Sequence, residues 1–162
     1  MDTGFFSPGS VVWDLQSVDK FDAIRETIRR TTIFRTIPNL DLQEFTTSVV
    51  QREKEQSTGF GRGIAIAHGR TVQVPTSEVA LGVSRTGLEY DSFDGLPVHL
   101  LFIVASHPDR QIDYLRILSS LATLARNEIF RKDLLSCLCQ EEVQTKVCSA
   151  FNGVLRRSYA AQ

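Results

Sequence analysis

The stretch STGFGRGIAIAHGR, from Ser57 to Arg70, places four glycines, two arginines and one histidine within fourteen residues. His68 has only Ile64, Ala65, Ile66, Ala67 and Gly69 as immediate neighbours, so no carboxylate lies beside it in the chain. Arg62 and Arg70 flank it, and Arg52 closes the preceding helical run. Cations around an imidazole lower its pKa and keep it neutral and nucleophilic near pH 7. Guanidinium groups, with the Ser57 and Thr58 hydroxyls, are also the donors that phosphoryl oxygens accept from. Four glycines exceed what a single turn needs, and their tolerance of positive φ predicts a bare, approachable histidine. No GK[ST] follows, so this is neither a Walker loop nor a dinucleotide fingerprint. By residue type alone, structural and nucleophilic readings of His68 both stand.

The remaining chemistry-bearing residues point elsewhere. His99 lies inside an apolar run and His107 precedes a proline; with His68 they lack the spacing of a zinc motif. His99 is expected to be hydrogen-bonded near a strand start, and Asp109 or a neighbour to cap the following helix. Glu89, Asp91 and Asp94 surround a turn, and Ser84, Ser106 and Ser119 occupy no nucleophile elbow. Cys137, Cys139 and Cys148 are odd in number and follow no CxxC pattern, which predicts reduced thiols and an intracellular protein. No metal or other cofactor is called for.

These groups must be positioned by one domain. The chain has 162 residues, 42% of them hydrophobic and 23% charged, with a formal charge of −1. That length suits a single core spanning residues 1–162, with an N-terminal arm over about 1–15. The charge balance supplies no footprint for nucleic acid or an anionic membrane. The longest apolar run, HLLFIVAS, is too short to span a bilayer, and no secretory signal opens the chain. A cytoplasmic protein follows from these expectations.

SVVWDL reads as an edge strand or a packed arm. Ser17 is positioned to cap a helix over VDKFDAIRETIRR, with Val18, Phe21, Ile24 and Ile28 on one face. Asp41 with Glu44 forms a capping-box pattern for a second helix, carrying Leu42, Phe45, Val49 and Val50 and ending near REKE. GIAIAH reads as a buried strand ending at His68, EVALGVSR as another, Asp94-Gly95 as a turn, and PVHLLFIVAS as the most strand-like run. A long helix follows, with Ile112, Leu115, Leu118, Leu121, Ala122 and Ala125 as its apolar face. Two shorter helices are expected over EIFRKDLLSCL and QEEVQTKVCSAF. The order predicts an α/β fold: one mixed sheet sandwiched between helical layers.

REKEQSTGFGRGIAIAHGR resembles the active-site segment of enzyme IIA domains of the bacterial sugar phosphotransferase system. It is most similar to the fructose/mannitol superfamily and its nitrogen-regulatory branch, whose usual form is close to REK..STGIGNGIAIPHGK. DGLPVHLLFIVASHPDRQIDYLRILSSLATL fits the second block of that family, and the likeness runs from about Leu42 to Val147. The resemblance implies that His68 accepts a phosphoryl group from a histidine phosphocarrier protein (HPr or its nitrogen-branch relative). It then passes the group to a IIB domain or signals to regulatory targets. It also implies that Arg52 lies near the phosphoryl group, with Ser57, Thr58 and Gly69 around it. The form of the motif, and the absence of an attached IIB or membrane segment, favour the regulatory branch. Ala67 replaces the usual proline, and Tyr114 stands where many members carry a second histidine. A tyrosine donates one hydrogen bond but offers no positive charge. The alternative is an interaction domain of the same fold that binds partners without phosphoryl transfer.

Overall fold

The protein is described by a computed structural model covering residues 5–160. The part of the expected N-terminal arm before Phe5 lies outside the described residues. Five strands form one mixed sheet in the order β1-β4-β5-β3-β2: β1 Val11–Val12, β2 Gly59–Gly61, β3 Ile64–Arg70, β4 Glu78–Leu88 and β5 Val98–Ser106. β5 pairs parallel with β3 and antiparallel with β4, and β1 pairs parallel with the outer side of β4. The SVVWDL segment is therefore both a short edge strand and a packed arm, with Phe5 and Phe6 buried ahead of it.

Helices cover both faces of the sheet. α1 Lys20–Arg30, α2 Thr32–Arg35 and α3 Leu42–Glu55 pack Ile24, Ile28, Phe34, Phe45 and Val49 onto one face, against Ala65, Ala67, Leu101 and Ile103. α4 Gln111–Ala125, α5 Glu128–Leu135 and α6 Gln140–Ala160 pack Ile117, Leu121, Leu134, Val147 and Phe151 onto the other, against Ile64, Ile66, Leu81, Phe102 and Val104. Period-2 alternation on β3 divides its side chains between these two cores. Ile64 and Ile66, and by the same alternation His68 and Arg70, belong to the α4 face. Ala65, Ala67 and Gly69 belong to the α3 face.

Several local expectations are corrected. Asp19, not Ser17, caps α1, accepting from the Phe21 and Asp22 amides. Ser17 instead donates its hydroxyl to Glu26 at 2.7 Å, and Val18 is exposed outside the helix. β3 continues past His68 to Arg70, since its partner β5 offers rungs as far as Ser106. α4 starts at Gln111 with Arg110 at its N-cap position and no side-chain cap; Asp109 does not cap it, and its amide donates to His107 Nδ1. α6 runs to Ala160, nine residues beyond the expected Phe151, with Val154 and Leu155 extending its buried stripe.

The apolar face of α4 is displaced as well. Ile112 is 71% exposed and Leu115 55% exposed, whereas Tyr114, Ile117, Leu121, Leu124 and Ala125 are buried. Steps of three residues fall short of a full helical turn by about 60°, so a run at strict i+3 winds off any single face. Burial follows the mixed i+3, i+4 set centred on Ile117 and Leu121, and that set carries Tyr114 toward the sheet.

Candidate active site

His68 lies on the fifth of the seven β3–β5 rungs counted from Ile64, paired with Val104 near the strand's carboxyl end. Its imidazole is half-buried. Nδ1 is buried with no hydrogen-bond partner, although the Ile66 carbonyl is near enough to favour a proton on the ring. Nε2 is the nitrogen left to meet a reactant. Burial lowers the pKa of His68 first, and the charges of Arg52 and Arg70 lower it further, while Glu53 and the Ile66 carbonyl oppose them. The ring is held neutral near pH 7, as a nitrogen nucleophile requires.

α3 brings Arg52 to this ring, and the cause is packing at Gly69. A Cβ at Gly69 would lie 2.8 Å from Val49 Cγ2 and 3.0 Å from Phe45 Cε1, so α3 seats directly on that backbone. Ser48, Gln51, Arg52 and Glu55 of α3 then form an open depression of about 610 Å³ with His68 and Arg70. Arg52 Nη1 donates to the Gln56 carbonyl at 2.9 Å, which fixes one edge of the guanidinium at the helix end. On the other side, the Tyr114 ring stands 5.3 Å from the His68 ring, and the Arg70 guanidinium carbon lies 5.9 Å from the centre of the Tyr114 ring. A larger depression of about 1020 Å³, bordered by Val72, His107 and Ile112, does not include His68.

The glycines do not collar the imidazole. Gly61 and Gly63 have φ of +94° and +83° on either side of Arg62, and they close the β2–β3 hairpin at the far end of β3. Arg62 goes with that hairpin, its amide donating to Asp94 at 2.7 Å. Only Gly69 borders His68, and it serves helix packing.

Ser57 and Thr58 lie in the α3–β2 connection with their donors committed. The Ser57 hydroxyl donates to the Tyr90 carbonyl at 2.8 Å. The Thr58 amide donates to Glu53 at 2.9 Å and its hydroxyl donates to the same carboxylate. Glu53 has no solvent-exposed side-chain surface; it also accepts from the Tyr90 hydroxyl at 2.9 Å and faces Lys20 Nζ at 3.3 Å. A buried carboxylate is tolerated when its lone pairs are met in this way. Glu53, Tyr90 and Lys20 escaped the sequence reading, as did the partnership of Arg70 with Tyr114. The only signal for Glu53 was its place between Arg52 and the loop it anchors.

His99 and His107 lie apart from this site. His99 Nδ1 is 2.8 Å from the Ser84 carbonyl near the start of β5, as expected. No group of three His, Cys, Asp or Glu side chains converges among the described residues. No disulfide joins the three cysteines. Among the described residues no helix is long and apolar enough to cross a membrane.

The chain matches the family model "Phosphoenolpyruvate-dependent sugar phosphotransferase system, EIIA 2" over residues 4–147. It is 32% identical over 141 residues to the fructose-specific EIIABC component of Bacillus subtilis, covering 87% of this chain and 22% of that protein. It is 31% identical over 121 residues to a nitrogen regulatory protein of Pseudomonas aeruginosa, covering 75% of this chain and 79% of that one. Against the crystal structure of nitrogen regulatory protein IIA-Ntr from Neisseria meningitidis the TM-score is 0.77 at 29% identity, over 85% of this chain and 92% of that one. The mannitol IIA of Escherichia coli shares the fold, with a TM-score of 0.69 at 19% identity over 86% of this chain and 96% of that one. The chain thus spans about a fifth of the Bacillus protein and most of the two nitrogen regulatory proteins. Family match and fold agree: the chain belongs to the EIIA type 2 family of the phosphoenolpyruvate-dependent sugar phosphotransferase system.

Proposed function

We propose that His68 accepts a phosphoryl group on Nε2 from a histidine phosphocarrier protein and carries it for a downstream partner. The observation that supports this most is a half-open imidazole whose buried nitrogen is Nδ1, sharing an open depression with Arg52 and Arg70, whose charges hold it neutral. The Nε2 lone pair attacks phosphorus as the donor's N–P bond breaks, and that bonding pair stays on the donor ring. The proton remains on Nδ1. Catalysis in such a step consists of alignment and charge stabilisation, and an open depression admits a protein donor. Arg52 supplies positive charge to the phosphoryl oxygens. Ser57 and Thr58 act as supports that hold the loop through Glu53 and Tyr90, and Gly69 fixes the distance between β3 and α3.

The likeness to nitrogen regulatory proteins supports a regulatory role, in which partners respond to the phosphorylation state of His68. Transfer to a IIB domain is the transport form of the same chemistry. A second reading, binding of partners without transfer, is favoured by one observation: a tyrosine packs against His68 where many relatives carry a second imidazole.

Intact-protein mass spectrometry after incubation with phosphoenolpyruvate, enzyme I and a phosphocarrier separates the two readings. Transfer predicts an acid-labile gain of one phosphoryl group that is lost in His68→Ala. No gain with a competent donor leaves the binding reading.

A further inference from the structure

We infer that Arg70 is a second phosphoryl-binding cation of this site, held in place by the face of Tyr114. The inference rests on the reading that His68 is phosphorylated, and it names the group that supplies the charge Tyr114 does not.

His68 and Arg70 are two residues apart on β3, so their side chains leave the same face of the sheet about 7 Å apart at the backbone. Tyr114, on α4, meets both: its ring lies 5.3 Å from the imidazole and 5.9 Å from the Arg70 guanidinium carbon. The ring itself is only 6% exposed, which makes it a fixed platform for a flexible cation. Among the described residues no ion pair or hydrogen bond engages the Arg70 side chain, while Arg85, for comparison, spends its guanidinium on the Leu135 and Cys137 carbonyls. An exposed strand-end arginine is ordinarily a solvated surface group. Arg70 differs in bordering the same depression as His68 and in acting electrostatically on both His68 and Tyr114.

Geometry assigns the two arginines to different sides. Arg52 approaches from α3 and Arg70 from β3 over Tyr114, so a phosphoryl group on Nε2 would present oxygens to both forks. Glu44 and Glu55 also border the depression, and the Glu53 charge acts on the ring. A dianionic group beside carboxylates needs more than one cation. Arg70 contributes N–H donors and charge only; the bonds made and broken at phosphorus are those given above.

The test compares wild type, Arg70→Gln and Arg70→Lys with two donors, a phosphorylated phosphocarrier protein and the small molecule phosphoramidate. Rates are read by quenched-flow phosphohistidine detection. Thermal midpoints within a degree or two of wild type establish that the variants fold. Arg70→Gln is expected to slow labelling of His68 by roughly tenfold to a hundredfold with both donors, because a charge-assisted hydrogen bond is lost in the transition state. Arg70→Lys retains charge without the fork and is expected to fall between. A wild-type rate in Arg70→Gln overturns the inference. So does slowing confined to the protein donor, which would make Arg70 a docking contact. A wild-type chain labelled by neither donor removes the phosphorylation reading itself, and this one with it.

Discussion

At His68 the sequence placed an imidazole among cations, and the structure adds the direction of each effect. Burial, Arg52 and Arg70 all disfavour the imidazolium, so the folded-state pKa lies below the ordinary value of 6.5. A depressed histidine binds its proton more readily in the unfolded chain, so it withdraws stability as pH falls below about 6.5 and has no effect above it. The same cations that lower the pKa favour a phosphoryl anion, since positive charge repels a proton and attracts an oxyanion. Arg52→Gln is therefore expected to raise the midpoint of the His68 titration, followed through the imidazole Cε1 proton by NMR. A midpoint unchanged from wild type would mean that the guanidinium is screened from the ring. Ser57 and Thr58 show the opposite case. Their types were right for phosphate binding, but a hydroxyl donates only once, and Tyr90 and Glu53 take those protons.

At the level of elements, the site exists because α3 lies close on β3. Gly69 permits that contact, with Phe45 and Val49 filling the space a side chain would take. Gly69→Val is expected to force α3 outward and to cost about 1–3 kcal/mol by overpacking, measured by urea denaturation. Because Arg52 is on the same helix, less than one turn beyond Val49, the variant should also raise the His68 midpoint. Unchanged stability would show that α3 yields there without strain. The α4 reading failed on the same kind of information. A run of leucines and isoleucines spaced by three is compatible with several faces, and only contact with the sheet selects Ile117 and Leu121 over Ile112 and Leu115. That choice turns Tyr114 inward onto His68.

Across the whole molecule, two cores divided by one sheet hold the layers together, and the N-terminal segment is tied in by charge. Burial alone would raise Glu26, but hydrogen bonds from the Ser17 hydroxyl and amide, the Gln16 amide and Arg30 overrule it and hold the carboxyl at about 2, against 4.5 unperturbed. Arg30 reaches on to Asp14 at 2.7 Å, so the segment after β1 is fastened to α1. The folded pKa is the lower one, so this stabilisation is fully present above the unfolded pKa and is lost as pH falls from about 5 toward 2. Its size is on the order of 3 kcal/mol. Glu26→Gln should be less stable than wild type at pH 7 and converge with it near pH 2, measured by denaturant unfolding across that range. A constant difference at every pH would mean that packing, not ionisation, carries the role of Glu26.

What the sequence by itself determined was the order of helices and strands, the mixed sheet between helical layers, and the motif around Arg52 and His68. These are carried by periodicity and by residues close together in the chain. The tertiary structure decided which donors are available and which faces meet. Glu53 saturates itself with Thr58, Tyr90 and Lys20, the hairpin glycines close a turn away from His68, and Arg70 lies over Tyr114. The Glu53 cluster and the Arg70 contact depend on partners far apart along the chain, Glu53 and Thr58 with Tyr90 and Arg70 with Tyr114. A hydrogen bond or ring contact is set by distance in space, which local pattern does not encode.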